Sequence, residues 1–194
     1  MLALEFPLCL ETYQQLVNAY NQSHRFYHTK EHISAMLRHV DLISEKLERP
    51  FLVELAIWFH DAIYKPFSKT NERDSAQWLT DFMKSNNASK DFIDYSFQLI
   101  MATTHNGDLS ENDEKYLVDI DLSIFGSSEE VYREYELNVR KEYRWIPWFL
   151  FKKNRRKLLE SFSNTDFFYN TEYFRSKYEK TARKNLLMAI KRLK

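Results

Sequence analysis

Apolar residues recur at three- and four-residue spacing along most of the chain, the mark of helices that bury one face. Leu10, Tyr13, Leu16, Val17 and Tyr20 predict a first helix over about residues 11–22, ended by the polar run Asn21-Gln22-Ser23-His24-Arg25. Ile33, Met36, Leu37, Val40, Ile43 and Leu47 form the stripe of a second, residues 29–47, which Arg49-Pro50 closes. The third, residues 51–64, is apolar on nearly every face and therefore belongs at the centre; Pro66 ends it. Ala76, Leu79, Phe82 and Met83 give a fourth over residues 71–86. A fifth, residues 90–104, stops at His105-Asn106-Gly107-Asp108, where Gly107 permits a tight turn. A short sixth helix covers residues 116–125 and ends at Gly126. Ser127 and Ser128, followed by Glu129 and Glu130, form an N-cap for a seventh that runs to about residue 143. Pro147 separates it from an eighth, residues 148–162, and a ninth spans residues 171–193.

Composition sharpens this picture. Only 2 Gly and 4 Pro stand against 15 Phe and 12 Tyr. So few turn-formers favour long helices on short connections, with aromatic rings filling the gaps between them. The expected fold class is all-α, a bundle of about eight or nine helices. With no repeat, low-complexity tract or linker, residues 1–194 are expected to form a single domain.

Charge narrows the partners. Formal net charge is zero and the pI is near 7, so no global field recruits nucleic acid or an anionic membrane. Lys152-Lys153-Asn154-Arg155-Arg156-Lys157 is a local exception, expected to be the solvated face of an amphipathic helix. No apolar run approaches the ~20 residues needed to cross a bilayer. The single Cys9 excludes an internal disulfide and fits a reducing compartment. The N-terminal residues lack the pattern of a signal peptide, and a cytoplasmic protein is expected. Oligomerisation stays open, since the aromatic-rich segment 143–151 can serve as a contact or as core.

The chemistry concentrates in Leu55-Ala56-Ile57-Trp58-Phe59-His60-Asp61-Ala62-Ile63-Tyr64. A carboxylate beside an imidazole in so apolar a run needs compensation, and a metal ion is the usual one. His32 lies upstream in Tyr27-His28-Thr29-Lys30-Glu31-His32-Ile33, and Asp121 lies downstream in Val118-Asp119-Ile120-Asp121-Leu122. Two imidazole nitrogens and two hard carboxylates suit a divalent Mn, Fe, Co, Ni or Mg ion better than a cysteine-rich structural zinc site would. His28 and His32 are four apart and share a helix face.

The order of a His, an adjacent His-Asp and a later Asp resembles the HD-domain superfamily of metal-dependent phosphohydrolases. Arg25-Phe26-Tyr27-His28-x-x-x-His32-Ile33, His60-Asp61-Ala62-Ile63-Tyr64 and Asn71-Glu72-x-x-Ser75-Ala76 look like one subgroup of predicted HD phosphohydrolases. Glu179-x-x-Ala182-Arg183-x-Asn185-Leu186 fits that subgroup as well, so the resemblance spans residues 10–193. It implies that His32, His60, Asp61 and Asp121 are metal ligands, with Asp61 able to bridge two ions. Asp119, first of the Asp-x-Asp pair, is the alternative to Asp121.

Phosphate-ester hydrolysis also needs groups that neutralise phosphoryl oxygens and protonate the leaving group. Arg25 can grip a phosphate bidentately or serve as a surface arginine. His28 can bind phosphate, transfer a proton or cap a helix. His105 is expected to act within the site as a substrate or proton partner, although a loop position is the alternative. Glu72 can orient water, pair with Arg25 or simply favour its helix dipole. Lys65 and Lys69 can meet substrate phosphates. His24 and His39 are expected to be structural or solvated. The expected function is hydrolysis of a phosphate ester of a nucleotide or other small metabolite. Two alternatives differ in class: an HD-fold di-iron oxygenase, and a module that binds a ligand or protein without catalysis.

Overall fold

The computed structural model describes residues 10–105, 107 and 109–193. Among them the fold is all-α, with nine α-helices and no strand. In order these are α1 (Leu10–Tyr20), α2 (Lys30–Ile43), α3 (Pro50–Phe59), α4 (Asn71–Ser85), α5 (Lys90–Ala102), α6 (Asn112–Asp121), α7 (Glu129–Glu142), α8 (Trp148–Ser163) and α9 (Glu172–Arg192). The chain divides into two compact units, Met1–Ile120 and Asp121–Lys194. The division falls inside α6, so Asp121 is the last residue of a helix that otherwise belongs to the first unit. No helix of the described residues is long and apolar enough to cross a membrane.

In the first unit α3 is the central element, packed against α2, α4 and α5. Leu52, Val53, Leu55, Ala56, Ile57 and Phe59 are all buried, as expected of a helix apolar on nearly every face. Pro50 occupies its first turn, where a missing N–H costs nothing. Asp113, fully buried on α6, takes the N–H groups of Glu48 and Arg49 at 2.8 Å each and the Tyr95 hydroxyl at 3.0 Å. An anion is thus fixed at the positive end of α3, where the helix dipole favours it. Beside this carboxylate, and with burial as the larger cause, the Tyr95 hydroxyl titrates well above the ordinary range.

Boundaries differ from expectation at three places. The second helix ends at Ile43 and tightens into a 3-10 turn, Ser44–Lys46, while Pro50 restricts only Arg49, the residue that opens the next helix. The third ends at Phe59, so His60 and Asp61 lie in the turn after the helix rather than on it. The sixth starts earlier, at Asn112, and its last residues form a separate 3-10 segment, Leu122–Gly126. In the turn after α5 the left-handed residue is His105, at φ 55°, and not Gly107.

With only 2 Gly, the chain cannot end its helices on glycine C-caps. Arginine side chains take the freed carbonyls instead. Arg25 donates to Asp61 O (2.7 Å) and Ala62 O (3.0 Å) beyond α3. Arg140 donates to Tyr143 O (2.6 Å) and Ile146 O (3.0 Å) beyond α7. Arg183 donates to Ser163 O and Thr165 O, 2.8 Å each, at the end of α8. Gly126 meets a different need: a Cβ there would lie 2.6 Å from Tyr178 Cβ on α9 and 2.9 Å from the Tyr169 hydroxyl.

The second unit also corrects the reading of the basic run on α8. Arg155 is buried, not solvated; its guanidinium forks onto Glu136 (2.8 and 3.2 Å) and donates to the Tyr135 hydroxyl at 2.8 Å. Burial pushes the Tyr135 hydroxyl up to about 12, although Arg155 opposes the shift. Lys153, Asn154 and Lys157 do face solvent.

Candidate metal centre

The turn that follows α3 is built by contacts from distant parts of the first unit. Arg25 is 5% exposed and spends most of its donors on backbone: Nη1 also reaches His28 O at 3.2 Å, while Nε donates to the side-chain carbonyl of Gln22, Oε1, at 3.2 Å. Its guanidinium lies over the Tyr20 and Tyr64 rings, 5.1 and 5.3 Å from their centres. Ser75 Oγ accepts from Ile63 N at 3.0 Å. Asn71 closes a pair of bonds with the Lys65 backbone, 3.0 Å to the N–H and 2.9 Å to the carbonyl. His24 donates from Nε2 to Tyr64 O at 3.0 Å, which makes it structural. Residues 60–65 are thereby held at almost every peptide.

Within this frame His60 is buried and its Nδ1 donates to Ile57 O at 2.9 Å. A carbonyl only accepts, so Nδ1 carries a proton and Nε2 is the ring atom left to face the other groups, the orientation a metal-ligating histidine needs. His32, buried on α2, brings its ring to 5.4 Å from that of His60. Asp121 arrives at the end of α6. One ligand atom from each of His32, His60 and Asp121 lies within 4.8 Å of the others.

The fourth expected ligand, Asp61, stands beside this trio. Its Oδ2 is 3.0 Å from His60 Nε2 and 4.0 Å from His28 Nε2, and its side chain is half-buried. His28 precedes α2 rather than riding on it; Thr29 is the cap residue. Its ring packs on Tyr64 (centroids 4.3 Å) and meets His32 edge-on at 6.1 Å. Asp119 is fully buried on α6, and residues two apart on a helix point about 200° apart. Asp121, not Asp119, therefore joins the histidines among the described residues.

The other expected site residues separate. Arg25 donates to the His28, Asp61 and Ala62 carbonyls and to Gln22, and so holds the turn that carries His60 and Asp61. His105 is exposed in a left-handed position after α5 and is not part of the cluster. Glu72 is half-buried in the first turn of α4, where its charge suits the helix dipole. Lys65 and Lys69 are exposed. Tyr64, Asn71 and Ser75 carry supporting roles that motif reading alone did not assign. Two buried polar residues four apart at the start of α4 were the available signal.

The donor set fits a divalent ion. Two imidazole nitrogens and carboxylate oxygens converge among the described residues, and one histidine has its Nδ1 held by a backbone bond. Compared with known proteins, the chain gives no match to a family model, to a curated protein or to a solved structure.

Proposed function

We propose that the chain is an HD-type metal-dependent phosphohydrolase acting on a nucleotide or other small phosphorylated metabolite. The observation that carries this reading is the convergence of His32, His60 and Asp121 within 4.8 Å, with the Asp61 carboxylate against His60. The motif order described above supports the same family. His32, His60, Asp61 and Asp121 would hold the ion. When bound, a divalent ion supplies Lewis acidity, polarising a phosphoryl oxygen and lowering the pKa of water.

The chain's own groups account for the remaining steps. Through the carboxylate oxygen not turned to the ion, Asp61 would orient the attacking water in line and take its proton as the new P–O bond forms and the ester P–O bond breaks. His28, 4.0 Å across from Asp61 and steadied by the Tyr64 ring, delivers a proton to the leaving oxygen. Arg25 keeps the His60-Asp61 turn rigid, so the carboxylate does not drift from the attack geometry.

The test is a phosphoester screen on protein reconstituted with Mn or Co, covering p-nitrophenyl phosphate and nucleoside mono-, di- and triphosphates. Turnover that disappears in Asp61→Ala supports the reading. His28→Ala should lower kcat by about 10²–10⁴-fold while metal content is retained, as expected for a lost proton donor. No turnover of any phosphoester by metal-loaded, folded protein would overturn the proposal.

A further inference from the structure

We propose that residues 143–157 of the second unit form a surface anchor that seats on an anionic phospholipid bilayer. This inference is independent of the metal centre. The turn between α7 and α8 projects Trp145 (77% exposed), and the first turn of α8 adds Trp148 (53%), Phe149 (68%) and Leu150 (41%). Four large apolar side chains, adjacent in sequence and facing water, are a cost the fold does not need for its own core.

The tip is built, not loose. Besides taking the Tyr143 and Ile146 carbonyls, the Arg140 guanidinium lies 5.5 Å from the Trp148 ring centre and 4.8 Å from that of Phe151. Phe151, Arg155 and Leu159 are buried and fix the orientation of α8, so its opposite face stays presented.

Charge identifies the occupant. Between Tyr143 and Leu159 the chain has six cations and no carboxylate (Arg144, Lys152, Lys153, Arg155, Arg156, Lys157), in a molecule of zero net charge. Arg155 is turned inward onto Glu136, and Arg156 pairs with Glu160 at 2.7 Å. Arg144 lies over the Trp145 ring at the tip itself (5.4 Å), and the exposed Lys153 and Lys157 follow along the helix, one turn (about 6 Å) and two turns (about 12 Å) beyond Phe149. An open groove on this face is lined by Phe149, Lys152, Lys153, Arg156 and Lys157, with Glu160 its one carboxylate, paired to Arg156. Apolar tip first and cations one to two turns behind is the depth profile of a bilayer surface, with rings at the acyl boundary and ammonium groups at the phosphates.

Other occupants fit less well. A second copy docked by a two-fold would press this cationic patch against itself. Single-stranded nucleic acid calls for rings interleaved with cations along a groove, whereas here they are segregated and two of the tip residues, Ile146 and Leu150, are aliphatic.

The test uses the full chain in co-sedimentation with phosphatidylcholine vesicles, with and without phosphatidylserine. Binding is expected to the mixed vesicles only, to weaken with salt, and to shift tryptophan emission to the blue. Trp145→Ser with Phe149→Ser should reduce partitioning about tenfold or more. Lys153→Ala and Lys157→Ala should each cost about fivefold. All four positions are exposed, so circular dichroism should show unchanged helix. No binding to phosphatidylserine vesicles overturns the proposal. Binding of an oligonucleotide in place of vesicles, or a dimer that dissociates in the Trp145/Phe149 variant, overturns it in favour of those partners.

Discussion

Two turns in this molecule are held by the same device and put to opposite uses. After α3, the Arg25 guanidinium takes the Asp61 and Ala62 carbonyls while packed on Tyr20 and Tyr64. After α7, Arg140 takes the Tyr143 and Ile146 carbonyls while packed on Trp148 and Phe151. The first arginine is buried and its turn aims His60 and Asp61 at other ligand groups. The second is half-buried and its turn aims Trp145 at solvent. A guanidinium fork fixes backbone in either setting; the surroundings decide whether the fixed residues are gathered against other polar groups or presented to solvent.

The comparison predicts unequal costs. Arg25→Ala strands buried carbonyls and should destabilise the chain by about 2–4 kcal/mol, read as a lower urea midpoint at unchanged slope. Arg25→Lys should recover little of it, because an ammonium cannot fork onto two carbonyls. Equal losses for Arg25→Ala and Arg140→Ala would break the comparison.

A third turn sharpens it with the sign of the charge reversed. Glu179 accepts from Phe168 N (2.8 Å) and Tyr169 N (3.1 Å) and pairs with Arg183. Burial pushes its carboxyl up, but the Phe168 N–H, the Arg183 guanidinium and the Tyr169 N–H outweigh that and hold it below the ordinary value. Glu179→Gln should cost about 1–2 kcal/mol at neutral pH. A folded-state pKa that is depressed contributes stability above the unfolded value and loses it as pH falls through the folded one. The gap between wild type and Glu179→Gln should therefore close on acidification below about 4.5, the ordinary glutamate value, while the Arg25→Ala gap persists. A pH-independent gap for Glu179→Gln would contradict this assignment.

The smallest effect belongs to the solvent-facing clamp. Arg140→Ala should cost about 1 kcal/mol or less, since water replaces the lost donor at exposed carbonyls. Its clearer readout is local: faster amide exchange over residues 143–147, with the remainder of the second unit unchanged.

Periodicity made the helices legible because each buries one stripe, and the all-α class followed from it. The end of α3 was not legible. Leu55 to Tyr64 reads as one apolar run, and the turn that follows Phe59 is held by Arg25, far away in sequence, through the Asp61 and Ala62 carbonyls. Arg155 hid for the same reason: within its own run it is one cation among five, and only Glu136, on another helix, turns it inward. Asp113 carries no local signal at all, although it holds the N-terminus of α3. His32, His60 and Asp121 could be named beforehand because their order resembles the HD-domain pattern and each sits beside apolar residues where a charge or imidazole needs a partner. Which of Asp119 and Asp121 meets the histidines required the phase of α6. The left-handed conformation of His105 was not legible, because a histidine after a helix carries no local sign of serving as its stop.

The most direct test of the metal-centre account is metal stoichiometry. It would be measured on chelator-free protein and after reconstitution, for wild type, His32→Ala and Asp61→Ala, with circular dichroism confirming the fold. The account predicts about one equivalent of Mn, Fe, Co, Ni or Mg in wild type and loss in both variants without loss of helix. Two irons per chain would contradict the hydrolase in favour of oxygen chemistry. A folded wild type that takes up no metal would contradict the centre itself.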